Sequence, residues 1–494
     1  MSVDSKPRTR PARALSWQPP AGAFWLGRWM DTQGSLAVHD PEDDSLLGYV
    51  GDASAADVDA AVAAVAQAVG EDWPAWRRRE ALHAAASLLL QRRDLLSEVI
   101  YRESSKTVRE ATAEVSRAAE TLRLSGEQAG RLTGETLPFA DTPRGEHRLG
   151  WYTREPVGVV AAITPFNDPL NLVAHKVGPA LVAGNGVVVK PAKHTPLTAL
   201  AFAEILLDAG VPARRFAVLP GTGRVAGQAL AGHPLVDLVS FTGGYATGNT
   251  VARAAGARKT LMELGGNNAT IVLPDADCVA AARAVVSGAF GVAGQNCLSV
   301  QRVYVAAALA DEFLAHVTAA TRALRVGSKA DPATDVGPLI DPAEAVRVEQ
   351  WVREAVAGGA TVQTGGVRDG AYYQPTVLTE VPAGARLLTE EVFGPVLTIQ
   401  PVDSAAEAVA LANSTEYGLQ AGIFTRDLDT ALDVARQLRV GAVLVNDSSD
   451  FRIDAMPFGG PRRSGVGREG VRYAVEAMTE PKIVAIRQRP TTAA

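Results

Sequence analysis

The chain has 494 residues, 47% of them hydrophobic and 21% charged, with a net charge of −6. That length exceeds one core and suggests two or three domains of ordinary globular composition. The acidic balance argues against nucleic acid as a partner. Two cysteines without a CxxC rule out a disulfide framework, and with seven scattered His they argue against a metal site.

Residues 1–20 are rich in Arg and Pro but lack the apolar core of a secretion signal. They read as a disordered or loosely attached tail on a cytoplasmic protein. No apolar run reaches the roughly 18 residues of a membrane span. Residues 22–50 hold short apolar runs broken by Gly and Asp, as small strands are. Ser54 opens an Ala/Val helix, with Asp57 placed to complete its first turn. A second helical tract runs from Pro74 through Glu98 toward Ser104, and a third from Val108 to Gly130, carrying Arg117 and Arg123. Charges on such a helix read first as a solvated face. Between Gly134 and Glu155, turn formers at 141–145 separate two extended segments, the pattern of a hairpin.

From Gly158 the pattern alternates strand and helix: strands at 159–163, 186–190, 216–219 and 236–241, helices at 170–183 and 196–209. Continuous apolar strands between helices imply a parallel sheet covered on both faces, with ligands beyond the strands' carboxyl ends. Thr164-Pro165-Phe166-Asn167, Lys190-Pro191-Ala192-Lys193 and Phe241-Thr242-Gly243-Gly244 stand at such ends. The common dinucleotide fingerprint GxGxxG is absent, since Gly221 and Gly223 are followed by Gly227, one place late. A second α/β region begins at the strand 301–305.

Two stretches concentrate the chemistry. Met262-Glu263-Leu264-Gly265-Gly266 offers a carboxylate among glycines, and Gly294-Gln295-Asn296-Cys297 a thiol. An ionised, reachable thiol is a strong nucleophile, and a carboxylate beside it can activate water. The other cysteine, Cys278, has no such surroundings.

Together these stretches resemble the aldehyde dehydrogenase superfamily, with its E-L-G-G and G-Q-x-C signatures. Glu390-Glu391-Val392-Phe393-Gly394-Pro395 and Pro457-Phe458-Gly459-Gly460 extend the resemblance to about residues 22–485. It implies an α/β fold: a Rossmann-like cofactor domain (21–130 and 153–262), an α/β catalytic domain (263–472) and a small β oligomerisation arm (131–152 and 473–494). The strand at 482–486 is then where subunits pair into a homodimer or homotetramer. The implied reaction oxidises an aldehyde to an acid with NAD or NADP. Cys297 is the nucleophile and Glu263 activates the hydrolytic water. Asn167 holds the oxyanion with the Cys297 N–H, a donor worth about 3 kcal/mol. Lys190 is counted among the catalytic residues and also with the adenosine ribose.

The resemblance implies cofactor contacts from Ile163, Thr164, Pro165 and Phe166, from Gly221, and from Phe241 and Thr242. Gly243 and Gly248 form the family's G-x-x-x-x-G, while Gly244 stands where a Ser is frequent. Leu264 and Gly265 follow, then Glu391 for the nicotinamide ribose and Phe393 beside the ring. NAD-preferring relatives often carry Glu at the position of Lys193, so NADP is expected to serve at least as well as NAD. Residues 450–460 and 299–302 look closest to lactaldehyde, phosphonoacetaldehyde and succinate-semialdehyde dehydrogenases. That likeness makes Arg117 and Arg452 candidates to grip a substrate anion. Two other readings stay open: a CoA-acylating relative, against which the retained Glu263 weighs, and a non-catalytic member of the fold.

Overall fold

The computed structural model describes residues 15–18 and 22–489. Most of the expected tail lies outside them. The described part is attached: Leu15 is buried, and Trp17 Nε1 donates to Glu204 Oε2 at 2.9 Å.

An eight-stranded sheet forms the first body. Its centre is five parallel strands in the order Phe216–Val218, Gly186–Lys190, Val159–Ile163, Leu238–Thr242, Lys259–Glu263. Ala23–Trp25 and Arg28–Met30 extend one edge antiparallel. Successive side chains of these strands point to opposite faces. Val160, Ala162, Val187 and Val189 pack under the helices Ala75–Gln91, Val108–Glu127, Asn171–Val182 and Pro196–Asp208. Val159, Ala161, Ile163 and Val188 pack under Ala55–Val69 and Tyr245–Ala255. Both faces are dry, which is why the strands carry unbroken apolar runs. Register matters for function. Ile163 pairs with Lys190, Phe241 with Ile163, and Thr242 with Glu263, so four adjacent strands end in one row.

The helices start where their sequences cap them. Ser54 and Asp57 form a reciprocal capping box, as do Thr107 and Glu110. The second helical tract is two helices, Ala75–Gln91 and Arg93–Glu103, broken at Arg92.

A seven-stranded sheet forms the second body: Thr361–Thr364, Thr376–Thr379, Val396–Val402, Val300–Ala306, Asn268–Val272, Gln420–Phe424, Ala442–Val445. Only residues 264–267 separate it from Glu263 at the end of the first sheet. The return is less clean than the expected boundary at 472. Gly465–Val466 is not part of this body but the antiparallel edge of the eight-stranded sheet, paired with Met262 and Glu263. Val475 and Met478 likewise join the core under the first sheet. A third sheet of three strands, Glu135–Leu137, Arg148–Pro156 and Thr479–Arg487, forms the arm.

Candidate active site

Two cavities meet at one wall. A cavity of about 510 Å³ is lined by Pro165, Phe166, Lys193, Phe241, Gly243, Gly244, Leu264, Gly265, Glu391 and Phe393. The other, about 310 Å³, is lined by Lys106, Arg117, Asp168, Asp450, Arg452 and Glu469 among others. Asn167, Leu172, Thr242 and Cys297 line both. A thiol at such a junction can react with a ligand on either side.

Local structure presents the thiol. Val292 (φ 51°) and Ala293 (φ 53°) are left-handed, followed by Gly294 at φ 69°. Glu110 accepts the Val292 N–H at 2.7 Å and fixes this turn. Asn268 Nδ2 then donates to the carbonyls of Cys297 (2.7 Å) and Ser299 (3.0 Å). Gly266 is required here, because a Cβ would stand 2.4 Å from the Cys297 carbonyl oxygen. Burial pushes the Cys297 thiol up, Glu391 and Glu263 add to the rise, and Arg452 opposes it. Asn167 is buried, and its amide makes no hydrogen bond with any described residue while lining both cavities. That is an orphaned donor beside the thiol.

Glu263 stands just behind the wall and lines neither cavity. Its Oε1 accepts the Glu469 N–H at 3.3 Å, and its buried Oε2 has no partner. Gly459 leaves room for it, since a Cβ there would lie 2.8 Å from Oε1. Burial and the neighbouring Glu469 raise the Glu263 carboxyl well above its ordinary value. Glu469 itself is held low despite burial by Lys176, His175 and Arg452; Lys176 Nζ lies 2.8 Å from Glu469 Oε1. Glu469 is therefore the more acidic carboxyl of the pair and Glu263 the less acidic.

The larger cavity suits a dinucleotide. The helix Tyr245–Ala255 begins at Gly244 with no side-chain cap, so its first N–H groups are left for a ligand's phosphates. Gly248 lets that helix approach Leu264, where a Cβ would meet Leu264 Cδ2 at 2.4 Å. Glu391 accepts the Gly266 N–H at 2.9 Å, and burial lifts it to about 7. Phe393, at φ 47°, meets the Phe166 ring edge-on at 5.7 Å.

Several expected residues stand elsewhere. Ile163 is core, Thr164 donates its N–H to the Lys190 carbonyl, and Gly221 offers its carbonyl to Lys190 Nζ at 3.2 Å. Lys190 also donates to the Pro191 carbonyl at 2.5 Å, and burial lowers it to about 8. Lys190 lines neither cavity, and its Nζ is held by the Pro191 and Gly221 carbonyls. Arg117 and Arg452 both reach the smaller cavity, each with carboxylate partners, and the buried Arg452 Nε has no hydrogen-bond partner among the described residues. Arg117 pairs with Asp454 at 3.2 Å and Asp168 at 3.6 Å. Arg452 lies over the Phe458 ring at 3.8 Å and 3.5 Å from Glu469. Arg123 instead pairs with Glu120 and Glu127 on its own helix, the solvated face expected of it. Sequence reasoning missed Lys106, Asp168, Asn296, Asp450 and Glu469. Asp168 and Asn296 adjoin residues it did name, and that adjacency was the available signal.

Residues 29–484 match the model of the aldehyde dehydrogenase family. The chain is 44% identical to a 3-sulfolactaldehyde dehydrogenase of Priestia aryabhattai, covering 94% of this chain and 98% of the relative. It is 44% identical to aspartate-semialdehyde dehydrogenase 1 of Pseudomonas canavaninivorans, over 91% of this chain and 96% of that one. A solved NADP-dependent glyceraldehyde-3-phosphate dehydrogenase from Bacillus halodurans, complexed with NADP, superposes with a TM-score of 0.93 at 37% identity, over 96% and 100% of the two chains. The chain belongs to the aldehyde dehydrogenase family and has its fold. It is an oxidoreductase of aldehydes. No described helix is long and apolar enough to cross a membrane.

Proposed function

We propose that the protein oxidises a short aldehyde to its carboxylic acid with NAD or NADP, through a thioester on Cys297. The observation that carries this reading is the wall shared by the two cavities, with Cys297 and the unpartnered Asn167 amide both on it. Cys297 Sγ, its thiol proton passing to water, attacks the aldehyde carbon, and the Asn167 amide with the Cys297 N–H holds the resulting oxyanion. The oxidised nicotinamide, when bound, would supply the hydride acceptor. Glu263, once it has lost its own proton, then turns toward the thioester and accepts a proton from water, whose oxygen attacks the carbonyl, expels the Cys297 thiolate and releases the acid. Glu391 and Phe393 would hold and pack the nicotinamide end, and the helix starting at Tyr245 would face the phosphates.

The chemistry of Glu263 favours water over CoA as acyl acceptor. Burial raises its carboxyl, which makes its carboxylate a stronger base for water than an ordinary Glu. The test is a pair of variants. Cys297→Ala is expected to lose aldehyde oxidation by about a thousandfold or more, while still binding reduced cofactor by fluorescence. Glu263→Gln is expected to give one burst of reduced cofactor and then stall with acyl-enzyme visible by mass spectrometry. A substantial steady rate from Cys297→Ala would end the covalent reading. Thioester formed only when CoA is added would replace water with CoA.

A further inference from the structure

Two buried groups of the smaller cavity, Lys106 and Glu114, take no part in the proposed reaction. Lys106 stands just before the helix Val108–Glu127, and Glu114 lies in its second turn. Glu110 and Glu114 are one turn apart and share a face of that helix. Glu110 accepts the Val292 N–H at 2.7 Å and so holds the turn that leads to Cys297. Glu114 reaches the other segment, the one that carries Asn167. Its Oε1 accepts the N–H of Leu170 at 2.7 Å and of Asn171 at 3.0 Å. One helix therefore ties down the backbone next to both Cys297 and Asn167.

The helix Asn171–Val182 needs the Glu114 contact. Its own N-cap residue, Leu170, offers no side-chain hydrogen bond, and its first N–H groups would otherwise be orphaned. A carboxylate there also suits the positive end of the helix. Lys106 adds a second tie, since its Nζ lies 2.9 Å from Glu114 Oε2 and also pairs with Asp168. Between the two ties stands Pro169, which fixes its own φ and restricts the residue before it. Asn167 thus adjoins a stretch pinned at Asp168 and again at Leu170 and Asn171. Its amide has no hydrogen-bond partner of its own among the described residues, so its place depends on that backbone.

We propose that Glu114 and Asp168, tied together by Lys106, are positioning residues that set where the Asn167 amide stands against Cys297. The proposal rests on the reading of Asn167 as the oxyanion donor. Such a donor must meet the oxyanion at hydrogen-bond distance, and a misplacement of about 1 Å can cost about a hundredfold in rate. Lys106, Glu114 and Asp168 do not line the larger cavity, so their effect falls on the chemical step and spares cofactor binding.

Two variants test it. Glu114→Asp keeps a charge opposite Lys106 but draws the accepting oxygen back from Leu170 and Asn171 by one methylene. Asp168→Ala cuts the other tie and leaves Lys106 with Glu114 and Arg117 with Asp454. Each is made in the native chain and again with Asn167→Ala, and read as the rate at which reduced cofactor appears in the first turnover at saturating aldehyde. In the native chain Glu114→Asp is expected to slow that rate by about tenfold or more, with the affinity for reduced cofactor unchanged. With Asn167→Ala already present, the same change is expected to cost less than about threefold, because no amide is left to misplace. Asp168→Ala should repeat the pattern, and it decides the matter if the unfolding midpoint shows that Glu114→Asp has not folded. Equal losses in the two backgrounds overturn the proposal, as does a native first-turnover rate in the variants. A native rate in Asn167→Ala alone would remove Asn167 from the oxyanion and overturn that reading as well.

Discussion

Lys193 decides a question of single residues. It is exposed and lines the cofactor cavity where the family's NAD-preferring members often carry Glu. Among the described residues it forms no ion pair, so its ammonium is available to a 2′-phosphate. The gain is bounded, because an exposed ion pair is worth about 0–1 kcal/mol and a tenfold preference needs about 1.4 kcal/mol. NADP is therefore expected to serve at least as well as NAD, without a large margin. Lys193→Glu places a carboxylate there, which accepts the ribose hydroxyls and repels the phosphate. The kcat/KM ratio should move toward NAD by about tenfold. A native preference for NAD beyond about tenfold, or an unmoved ratio in the variant, would remove Lys193 from cofactor choice. Residue identities such as Cys297, Glu391 and Phe393 were legible in the sequence because each sits in a local signature. The pairing of Arg117 with Asp454 was not, since it spans distant parts of the chain and nothing local in either residue announces it. The left-handed Val292 and Ala293 were equally hidden. A β-branched residue is a poor candidate for that backbone, and the Glu110 carboxylate that fixes the turn lies far back in the chain.

At the scale of elements, the strand Thr479–Arg487 has only one neighbour. It pairs with Arg148–Pro156 along nine residues, and among the described residues its other edge is open. Ile483 is 63% exposed and Ile486 45%. A long, apolar, unpaired edge invites another strand, so the arm supports the expected homodimer or homotetramer. Light scattering should report a mass at least twice that of one chain, and Ile483→Asp with Ile486→Asp should lower it. A native protein running as a single chain would dismiss the arm as an assembly device. The elements themselves were mostly legible. Val187–Val189 and Val159–Ile163 have no polar alternation, so they had to lie in a sheet covered on both faces. The break at Arg92 was not legible, because Leu88, Leu89 and Leu95 keep helical spacing across it and no Gly or Pro marks it. Gly465–Val466 was assigned to the wrong body for a simpler reason. Two residues carry no periodicity, and only the backbone of Met262 and Glu263 tells them where to pair.

At the scale of the whole molecule, one chain of charges joins both bodies around the proposed base. His175 Nε2 lies 2.8 Å from Asp454 and 3.3 Å from Arg452, Arg452 reaches Glu469, and Lys176 holds Glu469 from the other side. Glu263 ends this network, its carboxyl raised by burial and by the charge on Glu469. As a base it must first lose its proton, so hydrolysis should fall as pH drops through its raised value. The acid limb of kcat is then expected well above pH 4.5, the ordinary value for a Glu. Glu469→Gln tests the cause. It removes the like charge and leaves Lys176 and Arg452 unopposed, and both changes lower the Glu263 value. The acid limb should move to lower pH in a kcat profile taken at saturating aldehyde and cofactor. A limb that stays in place or moves upward would assign the titration to another group. In that case Glu263→Gln, whose residual turnover should show no such limb, would tell whether Glu263 titrates at all.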